Sequence, residues 1–166
     1  QQAERLYEIA RDFADLEPTD TVYDLYCGAG TISLFLSDAV EQVIGVELIE
    51  EAVDDARANA AQNDVSNCTF AAGDLKTVFT DDFVDTHGHP DVLVVDPPRN
   101  GMHKKVVAQI KALRPERFVY VSCNPQTQVR DLNRLCDVYQ IDKVQPVDMF
   151  PHTPHVENVV ALSRKG

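Results

Sequence analysis

Apolar positions in this chain fall into short runs that switch between two periods. Positions 1–13 place Leu6, Ile9, Ala10 and Phe13 on one side of a 3.6-residue repeat, which predicts an amphipathic helix. Glu17, Pro18, Thr19 and Asp20 break it, and 21–27 (TVYDLYC) is apolar enough for a buried strand. A turn at Gly28-Ala29-Gly30 leads into a predicted helix over 31–39. The alternation continues with a strand at 42–48 and a helix at 50–63, whose Ala52, Val53, Ala56 and Ala60 share a face. Strands at 68–72 and 91–96, a helix at 104–113, a strand at 117–122 and a helix at 126–136 follow. The last two apolar stretches, 139–147 and 156–163, have no helix between them and should pair as an antiparallel hairpin.

Strands that are apolar nearly throughout and alternate with helices indicate a parallel sheet covered on both faces. The expected fold is therefore α/β: a mostly parallel seven-stranded sheet, helices on both faces, and a C-terminal antiparallel hairpin that adds an antiparallel strand to one edge. At 166 residues, with no internal repeat or linker, the chain is expected to be a single domain spanning 1–166. It starts at Gln1 rather than Met, as a piece of a longer protein would.

Charge complicates the choice of partner. Fifteen Lys and Arg against 27 Asp and Glu give a net charge of −12, which by itself argues against a polyanionic ligand. No apolar run is long enough for a membrane span. Cys27, Cys68, Cys123 and Cys136 have no Cys-x-x-Cys pair and no zinc spacing, so free thiols and a cytoplasmic location are expected. Cys68 and Cys136 are expected to be small buried hydrophobes.

Ligands of open α/β sheets bind at the carboxyl ends of the strands. Asp24-Leu25-Tyr26-Cys27-Gly28-Ala29-Gly30 lies at such an end and leads into a helix. Glu47 closes the second strand about twenty residues on, where a carboxylate can accept hydrogen bonds from ribose hydroxyls. Asp74 follows the third strand and Asp96 ends the fourth, so four successive strands carry an acid toward one rim. Position 33 is Ser33, not the third glycine of a dinucleotide fingerprint, which favours a nucleoside-type cofactor without phosphates.

The next two strand ends carry different chemistry. Asp96-Pro97-Pro98-Arg99 is a stiffened loop suited to hold a flat base. Cys123 stands at the tip of the fifth strand beside a helix start, where a thiol can have a lowered pKa and act as a nucleophile. The loop from Asp148 to Asn158 contains His152 and His155 and ends in Glu157, a candidate general base. The two histidines could bind metal by type, but no third ligand lies close in sequence, so no metal is expected.

Together DLYCGAGT, GVE, AGDL, DPPRNG, YVSCNPQT-x-x-RDL and DMFP-x-T-x-HVE resemble the bacterial RNA (uracil-5-)-methyltransferases of tRNA and 23S ribosomal RNA. The resemblance implies a Rossmann-like class I methyltransferase that uses S-adenosyl-L-methionine. It implies a cofactor pocket lined by Tyr26, Gly28, Thr31, Glu47, Asp74 and Asp96, with Cys123 as nucleophile and Glu157 as base. Asp96 and Arg99 would hold the target base. Many relatives carry Asn where this chain has Thr31, and the family's Phe-Gln-x-Asn stretch before the first helix does not occur in it. Family members usually add an N-terminal OB-like RNA-binding domain and an insert domain, so this catalytic domain alone should bind RNA weakly. The expected product is 5-methyluridine, with 23S ribosomal RNA favoured as substrate and tRNA as the alternative. A cytosine-5 RNA methyltransferase would carry cysteine directly after the paired prolines, where this chain has Arg99. A non-catalytic nucleotide-binding module would have no need of Cys123 and Glu157.

Overall fold

Strand and helix alternate along the chain as the two periodicities require. The computed structural model describes residues 2–149 and 156–166. Helix α1 (Gln2–Ala14) precedes β1 (Thr21–Leu25), α2 (Thr31–Leu36) and a 3-10 turn at Ser37–Ala39. There follow β2 (Gln42–Glu47), α3 (Glu50–Gln62), β3 (Cys68–Ala72), α4 (Leu75–Val78) and α5 (Asp81–His87). The second half holds β4 (Val92–Val95), α6 (Lys104–Leu113), β5 (Arg117–Ser122), α7 (Pro125–Leu135), β6 (Tyr139–Val147) and β7 (Glu157–Arg164).

Among the described residues the seven strands form one sheet in the order β3-β2-β1-β4-β5-β7-β6. The first five are parallel, and β7 runs antiparallel to both β5 and β6. The expected hairpin is present, with one correction: its antiparallel strand, β7, lies inside the sheet, and β6 forms the edge. β7, eight residues long, pairs on both sides, with β5 and with β6, so the free edge falls to the nine-residue β6, whose central residues are solvent-facing.

Side-chain alternation splits the core. Tyr23, Leu25, Leu93, Val95, Phe118, Tyr120 and Leu162 pack with Val106, Ile110, Leu132 and Leu135 of α6 and α7. Val22, Val43, Val92, Val94, Val119, Val121 and Val159 meet Leu6, Ala10 and Ala14 of α1 and Ile32 and Leu36 of α2 on the opposite face. Both faces of the central strands are thus dry, which is why they read as continuous apolar runs.

Two short helices between β3 and β4 escape the periodicity. Both are set by caps: Asp74 accepts from the Lys76 N–H at 2.9 Å, and the Thr80 hydroxyl accepts from the Phe83 N–H at 3.2 Å. α5 has no fully buried residue; Phe79 and Phe83 close instead on Tyr23 as an aromatic group with centroids 5.7–6.0 Å apart. Of the thiols, Cys136 is exposed and Cys68 only half-buried, against the expectation of buried hydrophobes. No described helix is long and apolar enough to cross a membrane.

Candidate active site

The carboxyl ends of β1, β2, β4 and β5 open into one cleft of about 1090 Å³. Its turn begins where β1 stops. Tyr26 takes a left-handed φ of 64°, followed by Gly28 at 53° and Gly30 at 78°. A tyrosine in that region is strained, and two backbone bonds hold it: the N–H groups of Tyr26 and Cys27 both donate to the Val46 carbonyl, at 2.9 and 3.2 Å. The Tyr26 ring lines the cleft, and burial raises its hydroxyl pKa to about 12.

Glu47 is fixed by the same turn. One carboxylate oxygen accepts from the Gly28 N–H at 3.1 Å, the other from Leu48 N–H at 2.7 Å and Ile49 N–H at 3.0 Å. With roughly four acceptor positions on a carboxylate, at least one stays open toward the cleft. Asp74 caps α4 and ion-pairs with Lys76 Nζ at 2.8 Å; hydrogen bonding to Lys76 lowers its pKa. Asp96 is reached by solvent through the cleft mouth yet sits among protein atoms on its other sides. That partial desolvation, with the charge of Glu157 behind it, pushes its carboxyl up to about 7.

Asp24 does not join this rim. It lies within β1, fully buried, with one oxygen bonded to the Ser33 hydroxyl at 2.6 Å and the other, Oδ1, without a protein partner. Burial pushes it up to about 7. Ser33, which replaces the third glycine of a dinucleotide motif, is thus a bracket under the turn. Thr31 also lies elsewhere: it is exposed at the start of α2 and lines a separate depression with Arg11, Phe35, Asn59 and Asn63.

Cys123 follows β5, and Glu157 opens β7. The antiparallel register pairs Ser122 with Asn158, so the next step outward sets Cys123 across from Glu157. Directly opposed side chains start about 5 Å apart at Cβ, and both residues line the cleft. Gln128 locks the two strands: its amide donates to the Tyr120 carbonyl at 2.9 Å and the Asn158 carbonyl at 3.1 Å, and accepts from the Asn158 amide at 2.7 Å. The thiol is not acidified as its place beside a helix start suggests. Burial raises it, the charges of Glu157 and Asp96 add to that, and Arg99 opposes them.

The Pro97-Pro98 loop is strapped to α7. The Arg99 carbonyl accepts from the Asn124 amide at 3.0 Å and the Thr127 hydroxyl at 3.1 Å, and the Asn100 carbonyl from Arg130 at 2.8 Å. Arg99 itself is exposed and not among the side chains lining the cleft. Gly101, at φ 75°, passes so close to α7 that an added Cβ would lie 2.5 Å from Asp131. Residues 150–155, which include His152 and His155, lie outside the described part of the chain. Among the described residues no group of His, Cys, Asp and Glu is arranged to hold a metal ion.

A match to the tRNA (uracil-5-)-methyltransferase family extends over residues 2–165. The chain belongs to that family. Within it, an uncharacterized RNA methyltransferase of Bacteroides thetaiotaomicron is 55% identical over 98% of this chain, and one of Porphyromonas gingivalis 53% identical over 98%. The chain spans 36% of the length of each. Among solved structures, the Pyrococcus abyssi tRNA (uracil-54, C5)-methyltransferase in complex with S-adenosyl-L-homocysteine superposes with a TM-score of 0.84 at 35% identity. That superposition covers 97% of this chain and 38% of the other.

In this member of the uracil-5 family the cleft has further walls that the sequence reading did not name. Leu6 and Tyr7 reach it from α1, Leu48 and Leu75 supply apolar sides, and Lys104, Arg130 and Arg134 stand on the far wall. The amphipathic stripe of α1 was visible, but nothing local says that its first turns overhang the strand ends. Asp131 was equally hidden. It is fully buried on α7 and accepts from Met102 N–H at 2.7 Å and Tyr120 O–H at 3.0 Å, with Arg130 and Arg134 on its other oxygen. It therefore joins the Pro97-Pro98 loop, β5 and α7. Asp131→Ala strands two buried donors and should cost about 3 kcal/mol. Thermal unfolding followed by circular dichroism should show a drop of about 6–12 °C; a change within about 2 °C would remove Asp131 from that role.

Proposed function

We propose that this chain is the catalytic domain of an S-adenosyl-L-methionine-dependent enzyme that methylates carbon 5 of a uridine in RNA. The observation that carries the reading is the juxtaposition of Cys123 and Glu157 by one antiparallel register step, above a cleft whose opposite rim is acidic.

The cleft fits a nucleoside sulfonium. Glu47 is a backbone-fixed acceptor for ribose, Leu48 and the exposed Ile49 give apolar surface beside it, and the Gly28 N–H that a pyrophosphate would use is already given to Glu47. Tyr26, Gly28, Glu47, Asp74 and Asp96 are the residues that would surround it. Thr31 faces away from this cleft and is left out. When bound, the group supplies an electrophilic methyl.

Carbon 5 of uracil is a weak nucleophile. Addition of the Cys123 sulfur to carbon 6 breaks the 5,6 double bond and moves its electron pair onto carbon 5 as an enolate. That pair forms the new carbon–methyl bond. Glu157 then takes the proton left on carbon 5, the double bond returns, and the Cys123 thiolate departs. The base must leave its stack to reach this depth. Asp96, whose carboxyl stands near neutrality, can donate to or accept from its edge. Arg99 acts through its carbonyl in the loop strap and through its charge on Cys123.

The substrate of the Pyrococcus neighbour favours tRNA, whereas the preference for 23S ribosomal RNA rests on sequence resemblance alone. Methylation assays on transcripts of both RNAs decide between them. Arg99 in the place of a cysteine argues against cytosine as the target base.

The reading is tested first at the cofactor. Calorimetric titration of this chain with S-adenosylhomocysteine should show binding, and Glu47→Ala should weaken it by at least about tenfold, the loss of one or two charged hydrogen bonds. Equal affinity in both proteins would place the ribose elsewhere.

A further inference from the structure

Charge in this chain is not spread evenly. Residues 97–135 carry eight Lys and Arg against two acids, Glu116 and Asp131, and Asp131 is buried. The remainder carries seven basic residues against 25 acids. A chain of net charge −12 thus contains one continuous stretch of net +6. That stretch comprises the loop after β4, then α6, β5 and α7, and it builds one wall of the cleft. Lys104, Arg130 and Arg134 line that wall, and Lys105 is exposed beside them.

Helix polarity supplies an independent argument. The first turn of a helix favours negative charge, because its free N–H groups form the positive end of the dipole. α3 and α5 obey this with Glu50 and Glu51, and with Asp81 and Asp82. α6 inverts it: its first turn holds Lys104 and Lys105 and no acid. Neither lysine side chain has a hydrogen-bond or ion-pair partner among the described residues. The placement works against the helix in the free protein and in its favour once a polyanion lies across that end. On α7, Arg130 and Arg134 each give only part of a five-donor guanidinium to Asp131.

We propose that the RNA strand flanking the target uridine crosses this wall. Its phosphates are held by Lys104 and Lys105 at the start of α6 and by Arg130 and Arg134 on the outer side of α7. This inference rests on the methyltransferase reading above and adds the path of the strand. One cleft is then divided by charge: Glu47 and Asp74 repel phosphate and face the nucleoside cofactor, the cationic wall takes the backbone, and the base reaches Cys123 between them. The −12 total hides this because 25 of the 27 acids lie outside residues 97–135.

The test uses this chain and a fluorescein-labelled, uridine-containing RNA stem-loop, read by anisotropy from about 50 to 200 mM KCl. Binding is expected at the low-salt end. Lys104→Gln with Lys105→Gln should weaken it by about fivefold or more and lower the slope of log K against log salt by about 1.4, two phosphate contacts at roughly 0.7 each. The control pair Lys143→Gln with Lys165→Gln, in β6 and just past the end of β7, should change neither. No binding at about 50 mM salt, an unchanged slope, or an equal loss in the control pair would overturn the proposal. S-adenosylhomocysteine titration of the unmodified chain runs in parallel. If that fails while the lysine pair still sets the slope, the cofactor reading falls and the RNA path stands.

Discussion

Cys123→Ala should reduce methyl transfer to RNA by about 10,000-fold or more while leaving affinity for S-adenosylhomocysteine within about twofold. The asymmetry follows from the role proposed for the sulfur. Without addition at carbon 6 there is no electron pair on carbon 5 for the methyl group, and no neighbouring side chain substitutes for it. Cys123 is half-buried at the end of β5, held by the Ser122 and Asn124 turn, and its removal leaves the Glu47 rim untouched. The pH dependence adds a second readout. Because burial and the Glu157 and Asp96 charges raise the thiol above its ordinary range, the reactive thiolate fraction grows as pH rises through and beyond neutrality. Turnover of the unmodified protein should climb with pH on that limb, and the low-pH side should show no plateau of activity. A Cys123→Ala protein that turns over within tenfold of the original, on the order of 1.4 kcal/mol, would end the covalent reading.

Much of this is legible in the sequence alone, and what is not has a physical reason. The five parallel strands and their helices are local features: each apolar run is short, bounded by turn residues, and buried on both faces. The site acids Glu47, Asp74 and Asp96 could be placed at one rim because parallel strands all end on the same side. Asp24 was misplaced there because one residue along a strand changes the face and depth of a side chain, and it points into the core beneath Ser33. Thr31 and Arg99 belong to motifs near the cleft, but motif membership does not fix the direction of a side chain. The acidity of Cys123 was misjudged for a related reason. The helix start beside it is adjacent in sequence, whereas the carboxylates that oppose its ionisation arrive from β4 and β7. The position of β7 between β5 and β6 is also non-local, and periodicity is silent on it. That insertion is what brings Cys123 and Glu157 together.

Glu157→Gln should turn over at least about a hundredfold more slowly and accumulate a covalent protein–RNA adduct stable to denaturing electrophoresis. The amide keeps the size and much of the hydrogen bonding of the acid but cannot accept a proton. The reaction then proceeds through sulfur addition and methyl transfer and stops with both a methyl group and a hydrogen on carbon 5. Nothing in the cleft is as well placed to relieve that state. Glu157 stands across from Cys123 because Ser122 pairs with Asn158, and Gln128 pins that pairing with three hydrogen bonds from α7. Among the described residues Asp96 is the other carboxyl whose charge reaches Cys123; burial still raises its pKa when the Glu157 charge is gone, and it could serve as a slow substitute. Two controls separate the possibilities. Combining Glu157→Gln with Cys123→Ala should abolish the adduct, since the bond to RNA is through sulfur. Raising the pH should release the adduct faster if Asp96, once ionised, takes the proton in place of Glu157. Near-normal turnover of Glu157→Gln without any adduct would instead assign the base to Asp96 and leave Glu157 as the charge that tunes it.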